Sequence, residues 1–170
     1  MVIDIRRALP ENAYAYTLCH VDCWQDAYDG IIPDGFLANM RAEQEQRTEQ
    51  CKKTLSEPGE CKYLYPELDG KMIGRLVFGK SNEEDKPDAS ELHAIYLLKE
   101  FWNKGYGLQM LNFALADLRQ SGYKEVVVWV IDENIRGRRF YEKHGFLLDE
   151  KTMVLNLGKP ITLVRYTYDL

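Results

Sequence analysis

The stretch "KEVVVWVI" at 124–131 constrains the fold more than any other part of the chain. It is a nearly continuous apolar run, too short for a buried helix and rich in β-branched residues. Such a run reads as a strand covered on both faces. A strand of that kind needs helices above and below its sheet. The flanking patterns supply them. From Gly105, residues Leu108, Leu111, Leu115 and Leu118 make an apolar helical stripe that Gly122 ends. Residues 134–143 read as a short helix after the run.

The remaining elements follow from the same two periods. Val2 to Arg6 alternates as a short strand, and a helix is expected from about Asn12 to Tyr28, ended by Gly30. Pro33 and Asp34 restart a helix, with 41–53 as its solvated continuation. Residues 62–67 and 71–79 are strands joined by a hairpin with Asp69-Gly70 at its centre. Ser90 to Leu98 is another strand. "HGF" at 144–146 leads into one more, and Ile161 to Tyr168 is expected to close the sheet. The expected fold is α/β: one domain over 1–170, with a mixed sheet and helices on both faces.

Composition narrows the function. The chain has 170 residues and a formal net charge of −5. That charge argues against a general nucleic-acid binder and tolerates a cationic small molecule or basic peptide. No apolar run reaches the ~20 residues of a membrane span, and the N-terminus shows no secretory signal. Cys19, His20 and Cys23 sit close together, but no four-ligand zinc spacing is visible, so reduced thiols and no metal are expected. The cytoplasm is the expected setting.

The segment "FWNKGYG" at 101–107 joins a strand to a helix. Backbone N–H groups at such a junction, with the helix dipole behind them, suit a pyrophosphate, and Lys104 adds charge. Gly105 and Gly107 remove side chains that would block close approach. On its own the segment reads equally as a plain turn. A P-loop is excluded, and so is a full G-x-G-x-x-G, because position 110 is Met.

Three stretches resemble the GNAT superfamily of N-acetyltransferases. "NIRGRRFYEKHGF" at 134–146 resembles its Asn-x-x-Ala-x-x-Phe-Tyr-x-x-x-Gly-Phe signature. "ELHAIYLLKEFWNKGYGLQML" at 91–111 is similar to its strand, Gln/Arg-x-x-Gly-x-Gly/Ala loop and helix. "CWQDAYDGIIPDGFL" at 23–37 resembles its Trp-x-x-x-Tyr-x-Gly-x-x-Pro segment. Trp102 departs from the usual Gln or Arg, Gly137 from Ala, and Lys99 from Pro.

The resemblance implies the acyl-CoA N-acyltransferase fold, with a mostly antiparallel sheet of about seven strands, and acetyl-CoA held between two splayed central strands. It implies that backbone groups of Ile95, Tyr96 and Leu97 hold the pantetheine arm. Trp102, Asn103, Lys104, Gly105, Tyr106 and Gly107 would hold the pyrophosphate, with Asn134 also at the cofactor. Tyr141 is implied near the cofactor sulfur as general acid, and Glu91 as a base for the acceptor amine.

Strand parity puts Glu91 and His93 on one face with Ile95, which makes His93 a second base or acceptor contact. Trp24 reads as core. Tyr28 would either pack in the core or line an acceptor pocket that suits a cationic amine. Asp26 and Asp29 would attract that amine or simply be solvated. The implied activity is acetyl transfer to a primary amine of a small molecule, peptide or protein, by direct attack in a ternary complex. A non-catalytic acyl-CoA-binding module is the alternative, and a nucleotide-binding domain a third reading. A homodimer through the last strands is compatible with the sequence.

Overall fold

A computed structural model describes residues 1–170. Strand β1 (Asp4–Arg7) is followed by helices α1 (Ala13–Ala27), α2 (Asp34–Ala42) and α3 (Gln44–Ser56). Strands β2 (Cys61–Leu68), β3 (Lys71–Met72), β4 (Gly74–Lys80) and β5 (Ser90–Leu97) come next. Helix α4 (Tyr106–Gln120), strand β6 (Glu125–Ile131), helix α5 (Ile135–Lys143) and strands β7 (Leu147–Asn156) and β8 (Pro160–Asp169) complete the chain.

The sheet has eight strands in the order β1-β2-β4-β5-β6-β8-β7, with β3 paired to β2 alone. Every pairing is antiparallel except β5 with β6. The extra strand beyond the expected seven arises because the 71–79 run breaks at Ile73: the register of β3 against β2, Glu67 with Met72, differs by one residue from that of β4, Leu64 with Leu76. The Asp69-Gly70 turn has positive φ at both central residues, as the twist of a two-residue hairpin demands.

The reading of β6 holds. Val126, Val128 and Val130 enter a core with α4, while Ile131 enters a second core with α1 and α2. A third cluster joins Ala13 and Tyr16 of α1 and Leu55 of α3 to Tyr65 and Val77 of the sheet. Thus α1, α2 and α3 cover one face and α4 the other.

Four expectations need correction. Residues 41–53 do not extend α2: the chain turns at Glu43, and a separate helix α3 buries Thr48 and Leu55. Leu108 is not in the apolar stripe; Met110, Ala114 and Tyr106 fill that face of α4 beside Leu111, Leu115 and Leu118. Strand β8 does not close the sheet. It folds back from β7 and inserts beside β6, which leaves β7 as the outer edge.

The fourth concerns strand parity. In the β4–β5 ladder Val77 faces Ala94 and Phe78 faces Leu92, so His93 is an unmatched bulge residue. The bulge reverses the alternation. Ile95 packs into the α4-side core with Leu92, whereas Ala94 and Tyr96 face the helices α1–α3. Glu91 and His93 do share a face, but it is the opposite one from Ile95.

Candidate active site

The parallel pairing of β5 and β6 is confined to Ser90 with Val126 and Glu91 with Val127. Ser90 Oγ donates to Glu125 O at 2.8 Å and pins the strands there. Beyond that point β5 follows β4, and β6 follows β8 as far as Ile131. The strands diverge and open a cleft of about 850 Å³. Backbone groups of two strands that face a gap have no ladder partner, so an extended chain bearing amides can pair with them.

At one end of the cleft a 3₁₀ turn (Lys99–Phe101) leads through Asn103 and Gly105 into α4. Both residues have positive φ, 58° and 82°. At Gly105 the backbone conformation explains the glycine, since a Cβ there would meet nothing within 4 Å. Gly107 answers to space instead: a Cβ would stand 3.3 Å from the Phe140 ring. The first amides of α4 have no intrahelical acceptor and face outward from the helix start. Trp102 does not reach into the gap as a polar side chain would. Its Nε1 donates to Leu97 O at 2.7 Å, and the Arg136 guanidinium lies over its ring, 3.2 Å from the centroid. Leu97 O is therefore partly committed within the protein.

The cleft brings together Tyr28, His93, Ile95, Tyr96, Leu97, Trp102, Asn103, Gly105, Gly107, Asn134 and Tyr141. It leaves out Lys104, Tyr106 and Glu91. Lys104 lies near the Phe101 ring, 5.8 Å from its centroid. The Tyr106 side chain is in the core, so only its backbone can serve the loop. Glu91 stands behind His93: its Oε1 is 3.0 Å from His93 Nδ1, and Ser81 Oγ donates to its Oε2 at 3.4 Å.

Asn134 caps α5, its Oδ1 accepting from Gly137 N at 3.0 Å. This explains the glycine at 137. A Cβ there would meet Asn134 Nδ2 at 2.7 Å and Val130 Cγ1 at 3.3 Å.

At the other end of the cleft phenol hydroxyls gather. The Tyr28 and Tyr96 hydroxyls are hydrogen-bonded at 2.8 Å. Burial, and then the neighbouring Tyr96, push the Tyr141 hydroxyl well above the usual phenol range, so it stays protonated. Burial also raises Tyr28, with Tyr96 and Tyr141 adding to it. Trp24 packs edge-on against Tyr28, with ring centroids 5.0 Å apart.

Sequence reasoning missed the basic lining. Arg136, Arg139 and Lys143 of α5 all face the cleft, as does His144. Their spacing of three and four residues was a readable signal for one helix face. No group of three or more His, Cys, Asp or Glu side chains is placed to hold a metal ion, and all four cysteines are free. No helix is long and apolar enough to cross a membrane.

Comparison with known proteins adds independent findings. Residues 22–146 match the model of the acetyltransferase (GNAT) family. The chain is 30% identical over 133 residues to YuaI of Bacillus subtilis (strain 168), an uncharacterized N-acetyltransferase, covering 78% of this chain and 74% of that one. The fold is similar to a crystal structure of PaiA N-acetyltransferase from Thermoplasma acidophilum in complex with coenzyme A: TM-score 0.76, 22% identity, covering 99% of this chain and 100% of that one. It is also similar to yncA of Salmonella typhimurium with acetyl-CoA, at TM-score 0.66 and 19% identity, covering 100% of this chain and 95% of that one.

Proposed function

The chain belongs to the acetyltransferase (GNAT) family, and from that premise we propose that residues 1–170 act as one domain that transfers the acetyl group of acetyl-CoA to a primary amine by direct attack in a ternary complex. The observation that carries this reading is the gap between β5 and β6, with free helix-start amides at one end and the Tyr28, Tyr96 and Tyr141 hydroxyls at the other. Such a gap suits a long, amide-bearing cofactor with a pyrophosphate. The solved relatives from T. acidophilum and S. typhimurium hold coenzyme A and acetyl-CoA respectively.

In this reading the backbone of Asn103 to Gly107 grips the pyrophosphate, and Arg139 and Lys143 supply the charge that Trp102 does not. Ile95, Tyr96 and Leu97 pair with the pantetheine arm, and the Asn134 amide nitrogen, left free by the cap, reaches the cofactor. The acceptor must lose a proton before its nitrogen can attack. His93 takes that proton, directly or through water, and Glu91 behind it stabilises the imidazolium. The neutral nitrogen adds to the thioester carbon, the C–S bond then breaks, and the second proton the nitrogen sheds on becoming an amide replaces the one that Tyr141 gives up. Tyr141, kept protonated by burial, gives its proton to the departing thiolate. Tyr28 borders the acceptor side.

Leu147, Leu148, Val154 and Leu155 are exposed on the edge strand β7 and support a second copy of the chain as a partner. Free cysteines, two of them partly exposed, support a cytoplasmic setting.

The test is calorimetric titration with acetyl-CoA and ATP, followed by a thiol-release screen over amines. Binding of acetyl-CoA, none of ATP, and release with some amine support the proposal. Tight binding without release from any amine would favour a binding module instead.

A further inference from the structure

Buried polar side chains normally find partners. In this protein the buried side-chain polar atoms without one are Tyr16 Oη, Trp24 Nε1, Gln44 Oε1 and Arg75 Nε. All belong to α1, α3 or β4, on the acceptor side of the sheet. Three of them can donate a hydrogen bond; Arg75 has only the Tyr16 hydroxyl near it, and Trp24 only that of Tyr96, with no carboxylate at either.

Arg75 lies directly across the ladder from Tyr96, so the two side chains share the face that carries α1. Its guanidinium stands over Tyr16, 4.7 Å from the ring centroid. Arg47 of α3 is close enough for the two positive charges to repel; burial first, and then Arg75, lower its proton affinity, while Glu43 raises it. His20 feels both. Burial, then Arg75 and Arg47, hold it well below the usual imidazole range and therefore neutral. The His20 ring is 5.7 Å from Tyr96 and 5.3 Å from Trp24. Positive charge and aromatic rings thus meet around Arg75, and Tyr96, one of those rings, also lines the cleft. Arg47, Arg75 and His20 are each partly exposed.

Arg165 of β8 shows what a satisfied arginine looks like here. It donates to Asp85, Asp149 and Glu83 at 2.6–2.9 Å. Arg75 has no equivalent carboxylate partner.

We propose that the acceptor supplies it: the substrate is a small amine that also carries a carboxylate, an amino-acid-like molecule. Arg75 holds the carboxylate, with Arg47 beside it and the Tyr16 hydroxyl and Trp24 Nε1 as further donors. The rings of His20, Trp24 and Tyr96 flank the body of the substrate, and its amine reaches the thioester beside Tyr96. This rests on the acetyl-transfer reading above and adds the substrate class.

The experiment compares matched acceptors with acetyl-CoA by thiol release: lysine against cadaverine, and phenylalanine against phenethylamine. The carboxylate-bearing member should be preferred in kcat/KM by about tenfold to a hundredfold, the range of a charged hydrogen bond. Arg75→Gln should collapse that ratio, mainly through KM, and should cost activity towards the carboxylate-bearing member most. Arg47→Gln, a partly exposed helix position, should lower the ratio by less, and it decides the matter if Arg75→Gln fails to fold by circular dichroism. Equal or better turnover of the decarboxylated amines, or a ratio unchanged in both variants, overturns the carboxylate inference alone. Failure to bind acetyl-CoA overturns the acetyl-transfer reading and this inference with it.

Discussion

Along its β8 side, strand β6 pairs at every residue from Glu125 to Ile131. Along its β5 side it pairs only at Val126 and Val127. One backbone thus borders a complete seam and an open one. The complete seam is locked by packing and charge: Tyr166 is fully buried, donates to Glu142 Oε1 at 2.6 Å and accepts from Arg138 Nε at 2.9 Å. On the same strand Arg165 gathers three carboxylates from the 81–88 loop and β7. The open seam has unpaired strand edges, a bulge at His93 and left-handed residues at Asn103 and Gly105. A gap between strands costs hydrogen bonds and apolar burial, and the neighbouring seam offsets that cost by holding β6 in place. The two seams should therefore respond differently to substitution.

The largest effect is expected on the complete seam. Tyr166→Ala should lower stability by about 3–5 kcal/mol, as aromatic truncation in a core does. Denaturant unfolding measures it. A loss below ~1 kcal/mol would mean that this seam does not carry the fold.

On the open seam the expected cost falls on rate rather than stability. Tyr141→Phe should keep acetyl-CoA affinity and reduce kcat by about a hundredfold, a barrier increase of ~2.7 kcal/mol. Because burial holds this phenol protonated, the wild-type rate should not fall as pH passes the ~10 at which a free tyrosine ionises. A decline centred near pH 10 that disappears in the variant would contradict the role.

The complete seam also has a pH signature. Hydrogen bonds from Arg165, and next from Lys151, hold the Asp85 carboxyl well below the usual carboxylate range. A depressed folded-state pKa contributes stability above the unfolded value of about 3.9 and loses it as pH falls below that value. Stability should therefore decline below about pH 4, and Arg165→Met should flatten the decline. An equal slope in both proteins would show that this cluster is not the source.

Gly137→Ala should have the smallest effect on stability. A better helix residue gains up to ~1 kcal/mol, and displacing the Asn134 cap costs about the same. Net stability should move little, while acetyl-CoA affinity should weaken several-fold if the Asn134 amide serves the cofactor. Unchanged affinity would reduce Asn134 to a helix cap.

Much of this contrast was readable in the chain. The apolar run at 124–131 announced a strand with two covered faces, and the Asn134 to Phe146 motif placed Tyr141 beside it. The bulge at His93 was not readable, because nothing in "ELHAIYLL" marks the residue the ladder skips, and one skipped residue reverses every later side chain. The reassignment of Glu91 to a position behind His93 follows from that bulge. Trp102 was visibly out of pattern, but its bond to Leu97 O and its stacking with Arg136 depend on a neighbour in a distant helix. The unpaired Arg75 was equally hidden, since its lack of a carboxylate is a fact about three elements at once.

The central claim is that the open seam is the acetyl-CoA site. The most direct test is a crystal structure of the protein with coenzyme A. The account predicts the pantetheine arm between β5 and β6 and the pyrophosphate oxygens about 3 Å from the backbone amides of Asn103 to Gly107. Coenzyme A bound elsewhere, with the gap between β5 and β6 empty, would contradict it.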